Sequence, residues 1–467
     1  MIFIKGSFSE EDMSQHKIVK IPDWVLPEAE SYINEVGKDG WELTHIYNQH
    51  AYLKSTAAGT IISGSLNASV DAFGRQRMSE PFTLGDYKHI YGIEDQLFIN
   101  RTTGDGAIGN IINHSSTILS VTSSGASAIH QSKMYHHYMP GKSQVTLASF
   151  VLGTAVSGST KRIGYFDDYN GIFLEQDATG SLQFVIRSAT SGTGSITEQR
   201  VKQTNWNVNT LLNGDFTLDI SKTQLFYIDF QWLAVGRVRC GFIHKGITVI
   251  CHVFDHTNIL DVPYMQNPNL PVRCEIRNSV SAPSSMEQIC STVMSEGGYA
   301  ESGKAYSISN ETFRVLTSGS TLPVLAIRLK NNVNGMPNRA FVRIQDSSVF
   351  TDQQSVRYVL TKLPSGSMLT TASAWVSIDS ESVVEYNASA TAYSDGKVLL
   401  TGFVGANSLN INQANPLVQT HAGVTNKQNF IAQNYNSTDS EIYVLVAKNM
   451  TANSTNIGAT MLWSEIY

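Results

Sequence analysis

The chain has 467 residues, of which 42% are hydrophobic and only 15% are Asp, Glu, Lys or Arg. Such a length can bury a substantial core without disulfide staples, and the low charge leaves a surface that is polar but sparsely ionised. Thirty-three basic against thirty-nine acidic residues give a formal charge of −6, so no global positive field gathers nucleic acid, and direct nucleic-acid binding is not expected.

The opening MIFIKGSFSEEDMSQ lacks the basic-then-apolar order of a signal peptide. No later run of about eighteen apolar residues follows, so neither a leader nor membrane insertion is expected. Residues 1–55 read as a small α+β unit. HKIVKIP alternates like a strand, Val25 to Val36 has helix-compatible apolar positions after Asp23, and Gly37 and Gly40 stop it. WELTHIYN and HAYLKS then form a hairpin, giving β-α-β-β with Trp41 as its core plug. Residues 56–79 are rich in Gly, Ser and Ala and read as a linker or arm.

From residue 80 to 298 short alternating segments are divided by Gly, Asn and Asp turns. They include IGNIINHSSTILSVTSS, KSQVTLASFVLGT, KRIGYFDDYNGIFLEQDATGSLQFVIRSA and LFYIDFQWLAVGRVRCGFIHKGITVICHVFDH, a pattern that predicts one large β-sandwich. After SEGGYAESGK the period-two pattern resumes in PVLAIRLK, RAFVRIQDSSVF, VRYVLTKL, KVLLTGFVGA and EIYVLVAKNM, and ATMLWSEIY supplies a final strand. Residues 299–467 therefore read as a second sandwich or jelly-roll-like domain. The expected fold class is mainly β, two β-sandwich or jelly-roll-like domains preceded by a small α+β domain.

The candidate chemistry is sparse. Cys240, Cys251, Cys274 and Cys290 lack paired CxxC spacing and are expected to be buried free thiols. His252 and His256 lie where a strand runs into a turn, about 13 Å apart if extended, too far to share one metal. They are read with His136, His137 and His244 as ordinary polar or turn-stabilising residues. Asp167 and Asp168 in GYFDDYNG, with Glu175 nearby, suggest acid–base chemistry, but the Asn170-Gly171 turn gives them a structural task. Glycan hydrolysis needs distant carboxylates to converge. Tyr135, Tyr138, Tyr165, Phe166, Tyr169 and Phe173 read first as core, with interface anchoring or sugar stacking as alternatives. The four tyrosines are carried as candidate assembly residues. Arg162, Arg187, Arg237, Arg239, Arg273 and Arg277 punctuate the strands and can pair carboxylates across subunits. With no Walker loop, Rossmann fingerprint, HExxH or GxSxG, neither catalysis nor a cofactor is expected.

An ordered succession of segments carries a resemblance. DAFGRQRMSEPFTLGDYKHIYG, QSKMYHHYMPGKSQVTLASFVLG, KRIGYFDDYNGIFLEQD, FYIDFQWLAVGRVRCGFIHKG, NPNLPVRCEI and STVMSEGG resemble structural proteins of tailed bacteriophages, especially marine and cyanobacterial phages. PVLAIRLK, NRAFVRIQD and IYVLVAKNM resemble the module that follows in them. The likeness spans about residues 70 to 467, while the GWEL segment resembles small bacterial domains. It implies a non-enzymatic virion protein of the tail or baseplate, assembled in the host cytoplasm with other virion proteins and favoured as a homo-trimer. Arg75, Arg77 and Glu80 become candidate docking residues. Val238, Cys240 and Phe242 are expected to face one side of a hairpin. A head decoration, vertex or collar protein, and a receptor-binding or glycan-cleaving spike contacting a host-surface glycan or protein, are the alternatives.

Overall fold

The computed structural model describes residues 80–467 apart from 192–194, 214–215, 298–302, 407, 412–429 and 435–437, and three backbone strands before them. The chain divides into two compact units, residues 1–78 and 79–467. In the first, strands β1 (His16–Lys20), β2 (Trp41–Tyr47) and β3 (His50–Ser55) form an antiparallel sheet in the order β1-β3-β2. The hairpin expected from WELTHIYN and HAYLKS is present, with Tyr47 opposite His50. The expected Val25–Val36 helix, the linker, and Arg75 and Arg77 lie outside the described residues.

In the second unit, strands β4 (Phe82–Lys88), β5 (Phe98–Thr103), β6 (Ala107–Ile111), β7 (Ser116–Val121), β8 (Ser127–Ser132), β9 (Gln144–Val151), β10 (Ser159–Phe166), β11 (Gly171–Gln176), β12 (Leu182–Ser188), β13 (Thr197–Lys202), β14 (Gln224–Phe230), β15 (Val238–His244), β16 (Ile247–Phe254), β17 (Val272–Asn278) and β18 (Ser284–Ser295) build a first sandwich. One sheet has seven strands in the order β13-β12-β11-β10-β17-β8-β5. The other has the path β16-β15-β14-β9-β18-β7-β6, with β4 beside β18. Alternation drives this packing: in β9 the residues are buried and half-buried in strict turn, as a strand with one core-facing side requires. Ile163, Leu174, Phe184 and Ile276 from the first sheet meet Phe226, Val238, Cys240, Phe242 and Met286 from the second in one core. At about 25 cal/mol per Å² of apolar area this is the main stabilising term. Val238, Cys240 and Phe242 share a face, as expected.

Three of the four thiols are buried and all four are free, but Cys290 is exposed. The correction has a local reason. Strand β18 shifts register against β9 between Gln288 and Cys290, and a bulge re-aims the side chains beyond it.

Between Tyr87, Phe98 and the two sheets lies a chain of buried rings. The ring of His130 stacks on Phe98 at 4.0 Å, and that of His89 lies 5.0 Å from His130. The Nδ1–H of His136 donates to the Leu270 carbonyl at 2.9 Å while its Nε2 accepts from the Tyr87 hydroxyl at 2.8 Å, the pattern of a neutral imidazole. Both ring nitrogens of His89 and Nε2 of His130 are buried without a hydrogen-bond partner.

A second sandwich follows. One sheet joins Lys304–Ser309, Thr455–Ile466, Phe341–Thr351 and Ser408–Ile411, with Arg314–Leu316 and Phe430–Ile431 at its side. The other joins Val376–Ser377, Val384–Asn387, Thr321–Leu329, Ile442–Asn449, Val356–Leu363 and Lys397–Val404. Leu325, Ile327, Val342, Ile344 and Trp463 close its core. The buried carboxylate of Glu465 is satisfied by the Trp463 indole, the Ser382 hydroxyl and the Val383 amide at 2.6–2.9 Å.

The two sandwiches meet at Lys133, just beyond β8. Its ammonium lies 3.1 Å from Glu441, whose other oxygen takes Lys362 at 2.6 Å and the Ala432 amide at 3.0 Å. Met134, Phe430 and Ala432 form an apolar contact beside this triad. The Arg339 guanidinium lies 4.6 Å from the centre of the Tyr135 ring.

Candidate functional site

The outward face of the seven-stranded sheet concentrates the ionised chemistry of the first sandwich. Strand register builds it. Glu275 of β17 is opposite Arg162 of β10, which is opposite Glu175 of β11, then Gln183 of β12 and Lys202 of β13. One step along, Arg273 is opposite Gly164, then Phe173, Val185 and Arg200. The result is a checkerboard in which opposite charges are neighbours both across and along the strands, the favourable arrangement for cross-strand pairs.

The contacts are short and shared. Arg162 reaches Glu175 at 2.5 Å and Glu275 at 2.9 Å. Glu275 also holds Arg273 at 2.6 Å and pairs with Arg277. Arg200 joins Glu175 at 3.3 Å and pairs with Glu198, and Glu198 takes Arg187 at 2.7 Å. Burial by itself raises the Glu275 pKa, but Arg273, Arg162 and Arg277 overcome it and hold the carboxyl far below the ordinary range. Glu198 is lowered in the same manner, burial opposing and Arg187 and Arg200 prevailing. Glu275 is thus a fixed anion, whereas the general acid of a glycosidase needs a raised pKa.

Aromatic rings form the floor. Phe166, Phe173 and Val185 make a small apolar cluster on this face, and Arg187 and Arg273 lie 5.0 and 5.2 Å from the centres of Phe173 and Phe166. Gly164 permits this close layer: a Cβ there meets the Ile172 carbonyl oxygen at 2.5 Å and the Phe173 Cα at 2.7 Å. The paving explains why β11 and β12 are buried at every position.

Exposure sorts the charges by depth. The side chains of Glu275 and Glu175 are 1% and 3% exposed, while those of Arg277 and Arg200 are 47% and 37% exposed. Lys202 is exposed as well, and the outermost carboxylate is Asp168 at 36%.

The residues singled out from sequence are distributed unevenly. Asp167 takes the turn role: its Oδ1 accepts the Tyr169 and Asn170 amides at 2.8 Å. Asp168 joins the network, 2.8 Å from Arg273 and 3.8 Å from Arg101. Tyr165 and Tyr138 are core residues rather than surface anchors. Tyr165 donates to the His136 carbonyl at 3.1 Å, and Tyr138 donates to the Lys142 carbonyl at 2.9 Å. Tyr135 is buried against the second sandwich, Tyr169 is exposed at the edge of the face, and Glu80 is exposed elsewhere. Arg239 pairs with Asp229 on the other sheet, and Arg237 is exposed. His256 stacks on Tyr264 and engages the Gly236 carbonyl, while Nδ1 of His252 accepts the Asn207 amide. Among the described residues no group of three or more His, Cys, Asp and Glu is placed to hold a metal. Glu198, Arg200, Lys202 and Glu275 were not singled out from sequence. Their signal is charge at every second residue in TEQRVK and RCEIR, which puts it on one strand face.

No family model matches the chain, and no curated protein does. Solved structures share its strand architecture. A glycoside hydrolase family 16 enzyme of Bacteroides ovatus, solved with a mixed-linkage glucan product, has 11% identity and a TM-score of 0.32, covering 45% of this chain and 99% of its own. A protein of unknown function from Shewanella oneidensis has 13% identity and a TM-score of 0.32, covering 53% of this chain and 100% of its own. A β-1,3-glucanase of Mycobacterium marinum has 13% identity and a TM-score of 0.28, covering 45% and 98%. The expectation that the chain is not an enzyme is corrected here. Glycoside hydrolases stand among its structural neighbours, and a missing sequence motif by itself excludes no activity, since the residues of a site can come from separate strands. At these TM-scores the likeness assigns no activity to this chain.

Proposed function

We propose that this chain is a component of a tailed-bacteriophage particle that recognises carbohydrate on the host surface through the outward face of its seven-stranded sheet. The observation that carries the carbohydrate reading is that face itself. Buried carboxylates hold the guanidinium groups in place, and the exposed ends of Arg200, Arg277 and Lys202 present fixed donors for hydroxyl groups over a broad surface. The particle assignment is supported by the ordered sequence resemblance across about residues 70 to 467. On that reading the chain is a tail or baseplate subunit, a homo-trimer whose repeated weak contacts become avid.

The test uses the full chain against host cells before and after periodate oxidation of their surface sugars, with released reducing ends measured in the same samples. Periodate-sensitive binding supports recognition, and accompanying reducing-end release adds cleavage to it. Binding that survives oxidation refutes the carbohydrate reading. Labelling of intact particles tests the virion assignment separately, and label away from the tail and baseplate refutes that location.

A further inference from the structure

The depth of the charges on the outward face narrows the ligand class. Two of its carboxylates sit at the bottom: Glu275 and Glu175 are all but covered and are held by arginines from neighbouring strands, while Glu198 and Asp168 are 17% and 36% exposed. Arg273, Arg187 and Arg162 are also deep, at 2%, 9% and 15% exposure, but most of the charge that reaches solvent is cationic. Arg277 and Arg200 are 47% and 37% exposed, Lys202 is exposed, and Arg101 is 28% exposed. A ligand approaching from solvent therefore meets a positive layer on a chain whose formal charge is −6.

The cations are also spread. Arg200 and Lys202 are on β13, at one edge of the seven-stranded sheet, Arg277 is on β17 within it, and Arg101 is on β5 at the other edge. With strands about 4.8 Å apart, the two edges are about 29 Å from each other. A single small anion spans little of that width, whereas a polymer carrying negative charge at intervals meets every site.

We infer that the carbohydrate bound on this face is an anionic polysaccharide, bearing carboxylate or phosphate groups along its length. This rests on the carbohydrate reading proposed above and specifies its ligand class. The buried Glu175 and Glu275 keep the guanidinium planes in position, and the exposed edges of Arg277, Arg200, Lys202 and Arg101 meet the ligand charges. Asp168 lies within the strip, 2.8 Å from Arg273 and 3.8 Å from Arg101, and offsets part of its charge there.

The test is affinity electrophoresis of the full chain in gels containing polygalacturonate, a polyphosphate-backbone teichoic acid or neutral dextran, at about 0.05 and 0.5 M salt. Screening shortens from more than 10 Å to a few ångströms over that range. Retardation by either or both anionic polymers and not by dextran, lost at high salt, is the expected result, and which polymer retards separates carboxylate from phosphate. Lys202→Gln and Arg277→Gln each weaken retardation roughly two- to fivefold, the scale of one exposed charge pair. Arg277→Lys retains it, and unchanged melting temperatures show that the variants fold. Equal retardation by dextran, or indifference to both neutralising variants, overturns the anionic assignment while periodate-sensitive cell binding leaves the carbohydrate reading standing. Failure of both anionic polymers to bind a chain that still binds cells in a periodate-sensitive way overturns the anionic assignment too. Tighter, equally variant-sensitive retardation by a single-stranded oligonucleotide overturns it in favour of nucleic acid.

Discussion

Lowering the pH from 7.5 to 5 destabilises the first sandwich, and two buried histidines contribute about 4 kcal/mol of the loss. Burial lowers the pKa of His89 and of His136 from 6.5 to about 4, the Leu270 carbonyl partly opposing the shift at His136. Because the folded values are depressed, the unfolded chain takes up protons first as pH falls through 6.5. Stability is complete above that value, declines as pH falls, and stops declining near pH 4, where the folded histidines also protonate. At pH 5 each imidazole is about 1.5 pH units below its unfolded value, which at 1.36 kcal/mol per unit is about 2 kcal/mol. His130, pushed well down by burial and by His89, acts in the same direction. The nearest acidic group in the hydrogen-bond chain is Asp95, which reaches His130 only through Asn100. Urea unfolding between pH 7.5 and 5, followed by tryptophan fluorescence, measures the slope above the range where carboxylates titrate. In His89→Leu, which removes two unpartnered buried nitrogens, the loss falls by about 2 kcal/mol. An unchanged slope in that variant, or a flat profile in the wild type, refutes the reasoning.

Glu441→Gln leaves Lys133 and Lys362 at the sandwich junction without their shared anion, at a cost of about 3 kcal/mol, the scale for breaking a buried pair. Calorimetry checks it. Gly164→Ala drives a methyl into the backbone of Ile172 and Phe173 and lowers the melting temperature of the first sandwich by several degrees, about 1–3 kcal/mol for overpacking. Native-state titration with Ellman's reagent detects one fast thiol per chain, Cys290. Cys240, Cys251 and Cys274 react only on unfolding, since burial raises all three thiols, Cys251 to about 12.

The local pattern of apolar and polar residues was enough to read the strands. QVTLASFV forms one, although its polar Gln144 and Thr146 take the buried side, and GIFLEQ and LQFVIRS, buried at every position, form two more as apolar runs between turns. GYFDDYNG was legible as a turn because an aspartate side chain can satisfy amides two and three residues ahead. The candidate site was only half legible. Arg162, Arg273 and Arg277 stood out, but Glu275 lay between two of them unnoticed, and Tyr138 and Tyr165 drew attention to surfaces they do not occupy.

Sequence by itself determined the β class, the turns and the side of each strand on which a residue falls, since these depend on neighbours within a few positions. Tertiary structure decided which strands are adjacent. The seven-strand order places Glu275 beside Arg162, 113 residues away in the chain, and the junction of the two sandwiches brings Lys133 to Glu441 across 308 residues. It also decided depth, covering Glu275, Glu175 and Arg273 and leaving Arg277 and Arg200 partly in solvent. Pairing across that separation depends on the packing of two whole sheets, and the depth of a charge on what its neighbours exclude from water. Neither quantity is local to the chain.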